Sequence, residues 1–225
     1  MGRVNRQPAL ALVLGLALAL AGCSGSDDST AGETAPNVVQ PGAPGDPTRT
    51  LSVESLEKLE PPKYTPADVR FMQGMIHHHA QALRMTDLVP ARSSDEALKV
   101  LATRIDLSQT TEIEQIRTWL QARGEDVPEL HGTHGTHGHA GSMELMPGML
   151  TEPQLKKLAD ARGKAFYRLF LESMIRHHEG AMQMVTELFE ADGGAEPEAG
   201  VFARHVDADQ QIEIARMQAM LAGGS

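Results

Sequence analysis

The sequence predicts an all-α chain folded as a four-helix bundle, and three observations carry that prediction. Long stretches place apolar residues at steps of three and four, the spacing of one helix face. Phe71–Val89 (FMQGMIHHHAQALRMTDLV) returns 99 residues later as Phe170–Leu188 (FLESMIRHHEGAMQMVTEL), keeping Phe71/Phe170, Met75/Met174, Ile76/Ile175, His78/His177, His79/His178, Ala82/Ala181 and Met85/Met184 in register. The segment after each copy also repeats, at an offset of 101: Ile105, Gln109, Glu112, Ile113, Ile116 and Leu120 match Val206, Gln210, Glu213, Ile214, Met217 and Leu221. Two duplicated helical hairpins joined by a long central crossover loop make a bundle with approximate two-fold symmetry.

The N-terminus stands outside that scheme. Met1–Gln7 carries Arg3 and Arg6 and no acid, Pro8–Leu20 is an unbroken apolar run, and Leu20-Ala21-Gly22-Cys23 follows. Residues 1–22 therefore read as a secretory signal peptide. Leu-Ala-Gly-Cys resembles the bacterial lipobox, which implies lipidation at Cys23 and an extracytoplasmic protein anchored to a bacterial membrane. Cys23 is the only cysteine, so no intramolecular disulfide is available and the exported domain must rely on core packing. Loss of the leader takes the formal charge from −10 to −12, which argues against nucleic acid or acidic lipid as a partner.

Residues 23–62 are rich in Ser, Gly, Pro, Asp and Thr and read as a disordered tether, with a short helix expected at Leu51–Leu59. The bundle is expected over residues 63–225. Repeat 1 covers about 64–124, a loop 125–150, and repeat 2 about 151–222. Thr65, Pro66 and Asp68 mark the start of the first helix, and Pro90 its end. Ser93 and Glu96 suggest a capping box for the second helix, which runs to Arg123 and stops at Gly124. Thr151 and Gln154 cap a short helix, Gly163 allows a bend into a third long helix to Glu190, and Pro197 opens a fourth that ends near Leu221.

Chemistry centres on the repeated histidines. His78 and His79 fall within the buried stripe of the first helix, with His77 towards its edge. Neighbouring residues on a helix differ by about 100°. The two rings of a pair are thus poorly placed to chelate one ion symmetrically. One ring is expected to ligate while the other bonds to Gln109 or Glu112, or to Gln210 or Glu213 in the second half. Met75 lies on the same face as His78 and His79, and Met174 repeats this beside His177 and His178. With Met85 and Met184 they offer soft thioethers beside imidazole, a set suited to copper as Cu(I) or Cu(II). Core packing alone would also use such methionines. A carboxylate-bridged di-iron site is disfavoured, because no histidine has Glu three residues before it.

The loop is a second metal signal. His131, His134, His137 and His139 with Met143, Met146 and Met149 place seven potential ligands in nineteen glycine-rich residues. Such a tract also suits other divalent metals. The chain shows no thiol nucleophile, phosphate loop or serine elbow, so an enzyme is not expected.

The motif M-I-x-H-H-x-x-A-x-x-M, at Met75–Met85 and Met174–Met184, resembles the bacterial domain-of-unknown-function family 305. So do Met146-Pro147-Gly148-Met149 and the Gly163, Phe166, Phe170 approach to the second pair. The resemblance implies a ferritin-like helical bundle, and copper as the leading metal. It departs at Tyr167, where that family usually has Asp, and at Arg176, which stands where the other half has His77. The leading expectation is an exported lipoprotein that binds copper for sequestration, tolerance or delivery, with a copper-donating or copper-accepting protein as a possible partner. A metal-independent interaction module with a buried His–Glu/Gln network, and a metal-dependent oxidoreductase, are the alternatives.

Overall fold

The computed structural model describes residues 38–40, 47–52, 54–55, 58, 60–129 and 145–223. The leader, Cys23 and the loop residues His131, His134, His137, His139 and Met143 lie outside them. The chain divides between Leu59 and Glu60. In the first unit, β1 (Val38–Gln40) pairs antiparallel with β2 (Arg49–Leu51), Val38 facing Leu51 and Gln40 facing Arg49. Two short strands thus lie within the expected tether, and Leu51, where the short helix was expected to begin, ends β2, while Glu54 and Ser55 are helical as expected. Val38, Val39 and Thr50 are β-branched, and at these positions strand preference prevails.

The second unit is all-α. Its helices are α1 (Pro66–Thr86), α2 (Val89–Arg92), α3 (Glu96–Ala122), α4 (Glu152–Asp160), α5 (Gly163–Glu190) and α6 (Pro197–Gly223). No helix among the described residues is long and apolar enough to cross a membrane. α1 opens on the expected capping box. Asp68 N donates to Thr65 Oγ1 at 3.3 Å, and Thr65 N donates to Asp68 Oδ2 at 2.7 Å. The other oxygen of Asp68 accepts the Gly194 N–H at 2.6 Å, so one buried carboxylate ties the start of α1 to the α5–α6 turn.

Two boundaries differ from the sequence reading. α1 ends at Thr86, and Pro90 sits in the first turn of α2, where a missing N–H costs nothing. α3 is capped by Asp95 and not by Ser93. The Asp95 side chain accepts the Leu98 N–H at 2.8 Å, while Ser93 Oγ accepts the Asp95 N–H at 3.2 Å. A carboxylate complements the positive end of a helix better than a hydroxyl does. Thr151 and Gln154 cap α4 as expected, and Gly163 starts α5 with φ +54°, a value that favours glycine.

Packing reveals the helix directions. One core cluster joins the first half of α1 (Phe71, Met72, Met75) to the last parts of α3 (Ile116, Leu120) and α5 (Met184, Leu188) and the first part of α6 (Phe202, Val206). The other joins the end of α1 (Met85) to the early parts of α3 (Leu98, Leu101) and α5 (Phe166, Phe170) and to Met217 late in α6. α1 and α6 therefore run one way and α3 and α5 the other, so the connection from α3 to α5 must travel the length of the bundle. At the end of the first cluster, Arg123 bonds Glu196 and Glu198 at 2.8 and 2.9 Å and lies 4.2 Å over the Trp119 ring. Trp119 Nε1 donates to Glu196 at 3.2 Å, which joins the two hairpins.

Candidate metal centre

Between the two clusters lie His78, His79, His177 and His178, all fully buried. The antiparallel crossing of α1 and α5 brings the two copies of the motif face to face. The rings of His78 and His177 stack with centroids 3.9 Å apart, tilted by 40°. His79 and His178 point outward to the partner helix of their own hairpin. His79 Nε2 bonds Glu112 Oε2 at 2.5 Å, and His178 Nε2 bonds Glu213 Oε2 at 2.6 Å. The hydrogen-bonding half of the expected arrangement is thus present in each pair, with glutamate as the partner. Gln109 and Gln210 are buried beside them, yet neither amide atom of Gln109, nor Oε1 of Gln210, has a partner.

Hydrogen bonding fixes the tautomers. A carbonyl can only accept, so His78 donates from Nε2 to Pro147 O at 3.0 Å and its Nδ1 carries a lone pair. His79 and His178 donate from Nε2 to carboxylates. Five buried ring nitrogens have no hydrogen-bond partner: Nδ1 of His78, His79 and His178, and both nitrogens of His177. Buried polar atoms are rarely left unpaired. An imidazole with one N–H held by a carboxylate or carbonyl and a free lone pair on the other nitrogen is the usual arrangement of a metal-ligating histidine.

Electrostatics keep the stacked pair, His78 and His177, unprotonated. Burial, and then the neighbouring His79, pull the His78 pKa down to about 3. Burial, and then His78, hold His177 well below the ordinary imidazole value, and burial also lowers His77 at the edge. Two stacked imidazoles in an apolar interior cannot both be cationic, so the pair is neutral at pH 7.

The thioethers fall into mixed pairs. Met75 and Met184 share one core cluster and Met85 and Met174 the other, so each side of the histidine stack receives one methionine from each repeat. Same-helix spacing had linked Met75 only to His78 and His79. The fold adds the partner from the other copy. Among the described residues no three His, Cys, Asp or Glu side chains are grouped to hold a metal. The donors described here are imidazole nitrogens, with thioethers in the flanking clusters, and sulfur favours a soft ion.

The end of the central loop closes over this site and is firmly seated. Leu150 N donates to Gln81 Oε1 at 2.7 Å, and Gln81 Nε2 donates to Leu150 O at 2.9 Å. Gly148 (φ +75°) nests against α5, where a Cβ on Gly180 would stand 2.0 Å from Pro147 O and one on Gly148 would stand 2.4 Å from Arg176 O. This close approach holds the Pro147 carbonyl against His78. The expected loop is present at residues 145–150, and two glycines and one glutamine hold it in place. Met146 packs on the Met75/Met184 cluster, whereas Met149 lines a separate surface cavity with Gln154, Arg176 and Glu179.

Sequence reasoning named Pro147 only within the family-like run Met146-Pro147-Gly148-Met149, and did not single out Gln81 or Gly180. A backbone carbonyl has no residue signature, but the break in the repeat, Gln81 against Gly180, was visible. Tyr167, the counterpart of Asp68, donates to the Met220 carbonyl at 3.2 Å. It precedes His177 by ten residues, roughly 15 Å along α5. The departure at that position therefore lies away from the histidines.

Comparison with known proteins places this geometry in a group. A DUF305 fragment from Deinococcus radiodurans is 32% identical, with a TM-score of 0.61 over 72% of this chain and 99% of that one. A putative secreted DUF305 protein from Streptomyces coelicolor is 28% identical, with a TM-score of 0.59 over 70% and 93%. CopM in its Cu(II)-bound form is 28% identical, with a TM-score of 0.55 over 70% and 97%, and its Cu(I)- and silver-bound forms also match. An uncharacterized mimivirus protein, L153, is 38% identical over 56 residues, a match that spans 37% of that relative and 25% of this chain. The family model described as Domain of unknown function (DUF305) matches residues 68–221, and the chain belongs to that family.

Proposed function

We propose that this protein binds copper outside the cytoplasm, anchored through a lipid at Cys23, and sequesters the ion or hands it on. The observation that carries the reading is the buried His78–His177 stack, with unpartnered ring nitrogens and a thioether pair on either side. Imidazole ligates through the lone pair in its ring plane, so an ion belongs at the ring edges, towards the methionines. Mixed nitrogen and sulfur donors accept both oxidation states, since sulfur favours Cu(I) and nitrogen Cu(II). Similarity to CopM, described in Cu(II)-, Cu(I)- and silver-bound forms, supports the same reading. The apolar leader ending in Leu-Ala-Gly-Cys supports export and anchoring. In this scheme the His/Met tract from His131 to Met143 captures ions and the bundle holds them.

The test is Cu(I) stoichiometry by anaerobic competition with a chromophoric chelator. It compares the parent, a 131–144 deletion that spares the seated residues, and His78→Ala/His177→Ala. The parent should bind several ions, the deletion should lose some, and the double substitution should lose others. If all binding vanishes with the tract, the repeated histidines are structural. The His79–Glu112 and His178–Glu213 bonds favour one second reading, a metal-independent structural module. It predicts a melting temperature unmoved by Cu(I), whereas tight binding to the folded state must raise it.

A further inference from the structure

Met146 comes from the loop and Met184 from α5, 38 residues apart, and the fold brings their ends together over Gly74. A Cβ on Gly74 would stand 3.2 Å from Met146 Sδ and 3.3 Å from Met184 Cε. The missing side chain is therefore what lets both methionines meet against α1. Beside them opens a cavity of about 310 Å³, lined by Phe71, Gly74, Met146, Pro147, Met184 and Leu188. Its charged lining residues, Arg70 and Glu187, are one of each sign. The cavity thus has no strong field for hard cations, and its distinguishing chemistry is sulfur.

We propose that Met146 and Met184 form a thioether site for a soft monovalent cation, Cu(I), at the mouth of the imidazole cluster, through which the ion reaches His78 and His177. The proposal rests on the copper reading above and names the route into that site. Continuity supports it: Pro147, next to Met146, lines the cavity and bonds His78, so the two sites share a wall. The opposite side of the stack differs. Gly74 is replaced there by its counterpart Ser173, and Met85 and Met174 are backed by Leu150, Leu158 and Phe166, all buried. No loop methionine joins that cluster among the described residues. A packing role would need volume and not sulfur, and leucine supplies nearly the same volume.

The experiment delivers Cu(I) anaerobically from a chelator to the full chain and follows both rate and stoichiometry. Met146→Leu alone, which leaves the Met75/Met184 pair intact, and Met146→Leu/Met184→Leu should each lose one ion and load the remainder at least tenfold more slowly. In a His78→Ala/His177→Ala background the site should persist, and the added leucines should abolish it. Gly74→Ala keeps a good helix former and crowds the two methionine ends, so it should slow loading without lowering the melting temperature. If the parent binds Cu(I) but either leucine variant loads at the parent's rate with the parent's stoichiometry, the thioether site is wrong and the copper reading stands. If the parent takes up no Cu(I), both fail together.

Discussion

The two hairpins are copies in sequence and unequal in what surrounds their histidines. His78 has its Nε2 held by the Pro147 carbonyl, while His177, its counterpart, has no partner for either nitrogen. Glu112 accepts from His79 and from Ser108 at 3.3 Å, whereas Glu213 accepts from His178, with Asp209 standing where Ser108 would be. Gln81 grips the loop backbone, and Gly180 makes room for it. Duplication created a symmetric pocket, and one loop then gave its two halves different work. The first half fixes a ring; the second leaves both nitrogens of its ring without a hydrogen bond.

The largest test of that comparison exchanges the loop-facing residues. Gly180→Val sets a side chain against Pro147 and Gly148 backbone, which cannot give way as a flexible side chain can. It should cost about 3 kcal/mol and expose residues 145–150 to protease. Gln81→Ala should cost less, about 1–3 kcal/mol, by stranding the Leu150 N–H and C=O. Urea unfolding of both variants checks the order, and equal small losses would mean that the loop is not seated as described.

A sharper test concerns the carboxylates. Glu112→Gln removes a charge-assisted bond and disturbs Ser108, and should cost about 2 kcal/mol. Glu213→Gln, at a more exposed position, should cost about 1 kcal/mol. If the second loss exceeds the first, burial is not what separates the halves.

The smallest expected effect is on pH dependence in the absence of metal. His78, with a pKa near 3, and His177, held lower than usual by burial, stay neutral in the folded state. In the unfolded chain they protonate near the ordinary value of about 6.5. The unfolded state then binds more protons, so stability falls as pH drops below that value towards 3, and is flat above it. His78→Gln/His177→Gln should flatten the slope in that window, as read by melting temperature at each pH. An unchanged slope would place the acid sensitivity elsewhere.

Much of this was legible in the residues. Periodicity and duplication gave the long helices, their antiparallel pairing and the burial of the His pairs, because each depends on local spacing. Glu112 and Glu213 were named as partners from their position on a seam. Three features were not legible. The Asp95 cap depended on a choice between two good capping residues two positions apart. The β1–β2 pair arose where polar composition masked a few β-branched residues. The Pro147 bond and the Gly148–Gly180 contact depend on where a long loop returns, which no local pattern encodes. Residue identity predicted the carboxylates that hold His79 and His178 well, and predicted the backbone atoms beside the histidines poorly.

The join between the hairpins at Trp119 has a practical consequence. This indole is the protein's single tryptophan, 5% exposed, between a guanidinium and a carboxylate. It lies seven residues along α3 from Glu112, roughly 10 Å away along the axis. Its emission colour will register parting of the hairpins, as the ring meets water, while its brightness at constant colour will register an ion that quenches from the imidazole cluster. One native fluorophore thereby distinguishes a bundle that opens from a bundle that fills.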